Sequence, residues 1–200
     1  MGIVSCFSFY ANKIITTGEG GICLTNNEEL ADKIRVLKSH GMSSSKRYWH
    51  DVIGYNYHIT NMQAAMGLAQ LEKIDRLIEF KRRIARLYNE FLEELDLELH
   101  QEPPWGKSVY WLYSVVTKAS QREKLVACLS EHGVETRRFF YPLHIMPAFK
   151  EFMAEELSEA EVYNSIYLHE HGINLPSGYN LTDEDIEYIA NLVKEALRKA

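Results

Sequence analysis

The start of the chain places a lysine between two short apolar runs, and this arrangement constrains the fold more than any other feature. Residues 3–9 are mostly apolar and predict a buried strand, and residues 21–25 predict a second strand. Between them lie Lys13 and a glycine-rich segment at residues 16–21. Glycine permits tight turns and a close approach of the backbone to a ligand. The pattern predicts a strand–turn–strand unit with the lysine just past the first strand.

The lysine is well placed for covalent chemistry with an aldehyde. An amine attacks a carbonyl carbon only while it is neutral, and burial near other positive charge favours the neutral form. Ser8 lies five residues before Lys13, near the predicted strand end, where its hydroxyl can donate to a phosphate. Taken alone, Lys13 is better explained as a solvated surface lysine, and the glycines as a plain turn between strands.

Composition excludes several classes of protein. The net charge of −6 over 200 residues provides no broad basic surface, so nucleic acid is not expected as a partner. Cys6, Cys23 and Cys128 are far apart and odd in number, which argues against a disulfide framework or a zinc site and suits a reducing cytoplasm. No stretch approaches the ~20 apolar residues that span a bilayer. We expect a cytoplasmic protein without a membrane partner.

Helical periodicity and capping signals organise the rest of the chain. Asn27 is predicted to cap a helix that reaches residue 39, and residues 42–60 form a long polar and aromatic loop. Thr60 and Gln63 have the spacing of a capping box, and the helix they start is predicted to continue to residue 94 and to bridge two lobes. The remainder predicts a small α+β lobe, with strands at 109–117 and 134–140 and helices at 120–132, 158–169 and 182–198.

Several motifs occur in a fixed order along the chain. They are Ser-Phe-Tyr-Ala-Asn-Lys at 8–13, Thr-Thr-Gly-Glu-Gly-Gly at 16–21, Arg-Tyr-Trp-His at 47–50, the Gly-Tyr-Asn-Tyr-His segment that opens 54–65, and Arg-Phe-Phe-Tyr-Pro-Leu-His at 138–144. Together they resemble the DegT/DnrJ/EryC1/StrS family of sugar aminotransferases. The resemblance covers essentially the whole chain but only the later half of a family member.

The resemblance implies an α/β fold, the aspartate aminotransferase-like type I fold of the PLP-dependent transferases, in truncated form. Residues 1–95 would be the end of the large pyridoxal phosphate-binding domain with its long bridging helix. Residues 96–200 would be the small C-terminal α+β domain.

The family's functional residues map onto individual positions of this sequence. The resemblance implies that Lys13 binds pyridoxal 5'-phosphate covalently and moves protons during catalysis, and that Ser8 contacts the cofactor phosphate. Asn56 corresponds to a residue that reaches across a dimer interface to the partner's cofactor phosphate. His58 stands where the family usually has arginine, so its role is open. Glu19 lies in the glycine-rich turn near the site.

Two positions later in the chain correspond to the region that binds the sugar nucleotide. These are Arg137 and His144. Each has a plain structural alternative, Arg137 as a surface charge and His144 as a hydrogen-bonded histidine between two prolines. Asn56, likewise, has the alternative of a turn residue. Tyr48 and Trp49 are expected to form either core or a wall of the substrate site.

The implied reaction transfers an amino group from glutamate to a 4-keto-6-deoxy sugar nucleotide in a homodimer. A lysine at position 13, rather than the histidine of the family's dehydratases, favours transamination. In the family, the acidic partner of the pyridine nitrogen comes from the preceding half. The isolated chain is therefore expected to have little or no activity. The alternatives are a piece of a split enzyme or a non-catalytic dimerisation module, and an unpaired sheet edge would favour self-association.

Two weaker signals receive structural interpretations. His169 and His171 are two positions apart and do not share a helix face, and no third ligand is evident, so no metal site is predicted. The basic run at residues 81–83 is predicted to be a solvated helix face.

Overall fold

The computed structural model describes residues 2–149 and 158–198. The chain divides into two compact units, an N-terminal unit of Met1–Leu77 and a C-terminal unit of Ile78–Ala200. The domain boundary predicted at residue 95 differs from this division and stays a prediction. Within the described residues, no helix combines the length and the apolar character needed to cross a lipid bilayer.

The N-terminal unit contains one antiparallel ribbon and two helices. Strand β1 (Ser5–Ser8) pairs with β2 (Gly21–Leu24) in a register that places Ser8 opposite Gly21. The prediction that this first strand is buried is wrong for this chain, because every residue of both strands is exposed. The ribbon's larger apolar side chains, Phe7, Ile22 and Leu24, are each about half exposed.

Both helices of the N-terminal unit begin at the predicted caps. Helix α1 (Glu28–Lys38) starts after Asn27, whose side-chain oxygen accepts a hydrogen bond of 2.9 Å from the amide of Leu30. Helix α2 (Asn61–Leu71) starts with a complete capping box in which Thr60 and Gln63 each accept from the other's amide. These bonds satisfy amides that have no partner within the helix.

The long bridging helix predicted from residue 61 to residue 94 is two helices. Helix α2 ends at Leu71, and α3 spans Ile74–Leu92. At the break, the amide of Lys73 donates to the carbonyl of Gln70 at 3.0 Å. This bond spans three residues rather than four, so the last turn tightens and the α-helical ladder is interrupted.

The C-terminal unit is an antiparallel sheet combined with helices, as the α+β prediction requires. The sheet order is β3-β4-β6-β5. The strands are β3 (Glu98–Leu99), β4 (Tyr113–Val116), β5 (Arg137–Arg138) and β6 (Gly172–Leu175); the helices are α4 (Ala119–Glu131), α5 (Glu159–His171) and α6 (Asp183–Arg198), with short 3₁₀ turns at Leu143–Ile145 and Pro147–Phe149. The predicted strands at 109–117 and 134–140 are longer than the paired segments, since apolar residues continue beyond the hydrogen-bonded ladder.

The hydrophobic core lies in this second unit. Its largest fully buried side chains include Tyr88 of α3 and Tyr113 of β4, whose rings stack with centroids 4.6 Å apart. Their hydroxyls donate to the Pro176 carbonyl at 2.9 Å and to Asn89 at 2.7 Å. The buried phenols therefore keep their hydrogen bonds, and burial raises the pKa of both.

The predicted solvated face at residues 81–83 is wrong for its first residue. Lys81 is only 6% exposed, and its amine donates to the carbonyl and hydroxyl oxygens of Ser177. Burial lowers the pKa of Lys81 to about 8. The sequence does not show which residues pack against a basic run. In the structure, the Lys81 amine is the hydrogen-bond donor to the buried Ser177 carbonyl.

Candidate cofactor and substrate site

The predicted cofactor lysine lies in a turn that its own neighbours hold in place. The Tyr10 amide donates to the hydroxyl oxygen of Ser8 at 3.3 Å, and the Lys13 amide donates to the Tyr10 carbonyl at 3.0 Å. Ser8 is exposed at the end of β1, and Lys13 is half-buried. The structure thus brings Ser8 and Lys13 into one local hydrogen-bonded turn.

Two threonines close the other side of this turn. The Phe9 carbonyl accepts hydrogen bonds from the Thr17 amide at 3.0 Å and from the Thr16 hydroxyl at 2.9 Å. Thr17 is buried, and its hydroxyl donates to the Glu19 carbonyl at 2.7 Å. Gly20 has a φ of +146°, and a Cβ there would lie 2.6 Å from the Thr17 hydroxyl. Only glycine fits this position without a shift.

One face of helix α2 contacts the same turn through hydrogen bonds and close packing. The side-chain amide of Gln70 accepts from the Thr16 amide at 3.0 Å and donates to the Thr16 carbonyl at 2.9 Å. One helical turn earlier, a Cβ on Gly67 would lie 2.9 Å from the Thr17 methyl group. At the helix start, the side chain of Gln63 donates to the Glu19 carbonyl at 3.2 Å.

Sequence reasoning missed Gln70 and Gly67 as residues that position the site. The signal was available, since residues 63, 67 and 70 are spaced to share one face of a helix. The methionines that the apolar pattern placed on the packed face, Met62 and Met66, are exposed in the structure. The packed face of α2 is therefore its polar and glycine face.

Glu19 and Asn56 line an open cavity of about 1000 Å³ in the N-terminal unit. Its walls come from β1, β2, α1 and residues 56–59, and His58 is part of them. Asn56 is exposed and forms an isolated antiparallel β-bridge with Ser39. The residues on either side of it in the sequence are Tyr55 and Tyr57, whose stacked rings have centroids 5.0 Å apart. Neither Lys13 nor Ser8 belongs to the lining of this cavity.

Arg137 and His144 lie in the C-terminal unit. Arg137 is exposed in β5; its guanidinium lies 4.4 Å from the centre of the Phe140 ring, and its carbonyl accepts from the Asn174 side chain at 3.1 Å. His144 sits in a 3₁₀ turn, where its Nε2 atom is buried without a hydrogen-bond partner among the described residues. The alternative of a hydrogen-bonded structural histidine is thus not supported at this nitrogen.

The remaining sequence signals have structural outcomes. Tyr48 and Trp49 are 72% and 53% exposed, so they are not core residues in this chain. The Nδ1 atom of His171 is 2.8 Å from the Thr117 carbonyl. Among the described residues, no three histidine, cysteine or acidic side chains form a group that could hold a metal ion.

Known proteins with similar sequences match almost the whole length of this chain. It is 41% identical over 198 residues to the GDP-perosamine synthase of Vibrio cholerae and 42% identical over 196 residues to that of Escherichia coli O157:H7. These matches cover 96% and 97% of this chain but 52% of each relative, so the chain spans about half the length of the curated proteins it matches.

Solved structures agree with the sequence comparison. The aminotransferase TlmJ of Streptoalloteichus hindustanus superposes with a TM-score of 0.88 at 30% identity, over 99% of this chain and 53% of that one. The predicted type I fold of the PLP-dependent sugar aminotransferases is therefore confirmed for the part of it that this chain spans. The sequence profile described as the DegT/DnrJ/EryC1/StrS aminotransferase family matches residues 1–194. The chain belongs to this family of pyridoxal phosphate-dependent enzymes.

Proposed function

We propose that the protein to which this chain belongs transfers an amino group from glutamate to a 4-keto-6-deoxy sugar nucleotide, as a GDP-perosamine synthase does. The observation that carries the proposal is the turn around Lys13. It combines the family's lysine and serine motif with a backbone that is held by Thr16, Thr17 and Gln70. A reacting amine needs such a defined position, because the rate depends on the geometry of approach.

The residues of the turn fit pyridoxal 5'-phosphate. Lys13 supplies an amine for the covalent bond to the aldehyde carbon. The Ser8 oxygen accepts a hydrogen bond from the Tyr10 amide, which leaves its own O–H free to donate to a phosphate oxygen. Gly18 and Gly20 have positive φ angles of 79° and 146°, a conformation that glycine adopts readily. Because these residues have no side chains, the backbone of this stretch can approach a ligand closely. When bound, the cofactor supplies the electron sink for transamination.

The chain's own residues would position the reactants and move protons. Lys13, once its amine is released, would take a proton from the amino donor and return one to the sugar carbon. Glu19, Arg137 and His144 are proposed to bind the sugar nucleotide. Asn56 is proposed to reach the cofactor phosphate of a second protomer, which makes the functional unit a homodimer. The expected location of this enzyme is the cytoplasm.

A second candidate function is that of a non-catalytic dimerisation module; an enzyme split into two chains would still perform the first function. The exposed apolar side chains of β1 and β2 favour the dimerisation module: Phe7, Ile22 and Leu24 are between 43% and 52% exposed. Exposed apolar strands with unpaired edges associate readily with other chains.

An assay of amino transfer separates the two functions. GDP-4-keto-6-deoxymannose, glutamate and pyridoxal phosphate would be incubated with the chain alone and with a second polypeptide. That polypeptide corresponds to the half of the Vibrio cholerae relative outside the matched region. Chromatography would quantify the amino sugar nucleotide, and size-exclusion chromatography would establish assembly. We expect product from the assembled pair and little or none from the chain alone.

Two lysine variants make the assay specific. Lys13→Ala should abolish product formation, while Lys33→Ala, which removes an exposed lysine of α1, should leave it unchanged. An assembled pair without activity would contradict the aminotransferase proposal and favour the dimerisation module. Activity that survives Lys13→Ala would contradict the assigned role of this lysine.

A further inference from the structure

Two cysteines that are far apart in the sequence face each other across the ribbon. Cys6 of β1 pairs directly with Cys23 of β2 in the antiparallel register, and their sulfur atoms are 3.7 Å apart. Both are free thiols in the structure, and their wide spacing in the sequence gave no sign that they are neighbours in space. Folding of the ribbon brings them together because the Lys13 turn reverses the chain between them.

The type of cross-strand pair suits a disulfide. The Phe9 amide donates to the Gly20 carbonyl at 2.9 Å, so Phe9 and Gly20 form a hydrogen-bonded pair. Bonded and non-bonded pairs alternate along an antiparallel ladder, which makes Cys6 and Cys23 a non-hydrogen-bonded pair. Such pairs have Cα atoms about 4.5 Å apart, within the range of about 4.4–6.8 Å found for disulfides. Side-chain rotation alone can then close the gap between the sulfurs.

Both thiols of the pair are accessible to a small disulfide. Cys6 and Cys23 are both exposed and line the cavity that also holds Glu19 and Asn56. The hydrogen bond with Cys6 raises the pKa of the Cys23 thiol. Either thiol can make the first attack on a small disulfide, and the other then resolves the mixed disulfide.

We propose that Cys6 and Cys23 form a thiol–disulfide exchange site that reacts with a small disulfide such as glutathione disulfide and closes into a cross-strand disulfide. One of the two thiolates attacks one sulfur of glutathione disulfide, and the sulfur–sulfur bond breaks to release one glutathione. The other thiolate then attacks the cysteine sulfur of the mixed disulfide and releases the second glutathione. Two protein thiols are oxidised, one small disulfide is reduced to two thiols, and the two protons pass to the glutathione products.

The bond would enclose the segment that carries Lys13. Residues 7–22 lie between the two cysteines, and this stretch includes the whole turn held by Thr16 and Thr17. Closing the ribbon at Cys6 and Cys23 restricts the opening of that turn, since a cross-link limits the conformations of the enclosed chain. Oxidation therefore acts on the segment with the reactive lysine while leaving its side chain unmodified.

The test is redox titration of the full chain. The protein would be equilibrated in glutathione buffers of increasing disulfide fraction, quenched with a maleimide, and analysed by intact mass and peptide mapping. We expect two of the three cysteine thiols to be lost together, with Cys6 and Cys23 joined in one peptide pair. Amide exchange in residues 9–20 should slow in the oxidised form.

Single variants identify the two steps. Cys6→Ser and Cys23→Ser should each stop at a stable glutathione adduct on the remaining ribbon cysteine. Cys128→Ser changes a half-buried cysteine of α4 and should behave as the wild type does. Three free thiols in the most oxidising buffer would overturn the proposal. So would glutathione adducts that persist on the wild-type ribbon, or a disulfide that joins two chains instead of Cys6 to Cys23. The wild-type titration decides the matter even if a variant fails to fold.

Discussion

The two units of the chain are stabilised by different physical means. All the buried apolar side chains among the described residues belong to the C-terminal unit, between Ile84 and Ala196. In the N-terminal unit, Thr17 and Gly41 are the buried residues of the described part, and neither is a large apolar side chain. This unit depends instead on hydrogen bonds between side chains and backbone. The residues proposed to hold the cofactor thus lie in the unit without a hydrophobic core.

Because of this difference, the interactions that define the conformation of the Lys13 turn are not the ones that contribute most to the free energy of unfolding. Hydrogen bonds with backbone partners define the conformation of a turn, but each contributes only about 0.5–1.5 kcal/mol net. Burial of apolar side chains contributes far more to the free energy of unfolding. We therefore expect substitutions in the N-terminal unit to change local geometry and exchange, and substitutions in the C-terminal unit to change unfolding.

A matched pair of leucine truncations tests this comparison with the largest expected effect. Leu129→Ala removes a fully buried side chain of α4 and should lower the free energy of unfolding by about 2–5 kcal/mol. Leu24→Ala removes a side chain that is 52% exposed and should lower it by less than ~1 kcal/mol. Urea denaturation followed by circular dichroism measures both. Equal losses would show that the N-terminal unit has a core of comparable strength.

The buried lysine of α3 gives the C-terminal unit a distinct pH dependence. The pKa of Lys81 is lowered by burial from 10.5 to about 8, so the unfolded chain binds more protons between these two values. The free energy of unfolding should therefore rise with pH across this window, by about 1.4 kcal/mol for each pH unit of separation and about 3 kcal/mol in total.

Lys81→Met isolates this contribution. The variant loses the donor to Ser177, so its stability falls, but its dependence on pH between 8 and 10.5 should be flatter than that of the wild type. Lys124→Met removes an exposed lysine of α4 and serves as the control with an unchanged slope. Urea titrations at several pH values give the slopes. Identical slopes for wild type and Lys81→Met would mean that Lys81 titrates as a solvated lysine.

A smaller and more local effect is expected at Gln70. Gln70→Ala removes both hydrogen bonds to the backbone of Thr16, at a cost of about 1–2 kcal/mol confined to the turn. Hydrogen exchange should accelerate at the Thr16 and Thr17 amides and remain unchanged in β4 and β6. The control is Gln101→Ala, because Gln101 is an exposed glutamine outside the helices and strands. Faster exchange throughout the chain would contradict a local role.

Local signals were sufficient to predict part of this structure. Asn27 and the pair Thr60–Gln63 mark helix starts correctly because a capping bond joins residues three apart in sequence. The motif between Ser8 and Gly21 predicted the turn and the family, since the serine, lysine and glycines are all within one reversal of the chain. For these features, the sequence neighbours are also the spatial neighbours.

Long-range outcomes were not accessible in the same way. The exposure of β1, the burial of Lys81 against Ser177 and the pairing of Cys6 with Cys23 each depend on segments that are remote in sequence. Residues 72 and 73, where the helix breaks after Leu71, are neither proline nor glycine, so the sequence contains no local signal for the break. Periodicity identifies an apolar face but does not say whether another layer covers it.

The central claim is that Lys13 is the lysine that binds pyridoxal phosphate, and competition among the lysines tests it most directly. The purified chain would be incubated with pyridoxal phosphate, reduced with borohydride and mapped by peptide mass spectrometry. Lys81 is the informative competitor, because its lowered pKa makes its amine more often neutral although its side chain is only 6% exposed.

We expect the adduct to form selectively on Lys13, to be lost in Lys13→Ala and to be retained in Lys33→Ala. An adduct spread evenly over exposed lysines, or one concentrated on Lys81, would contradict the assignment of Lys13 as the cofactor lysine of this chain.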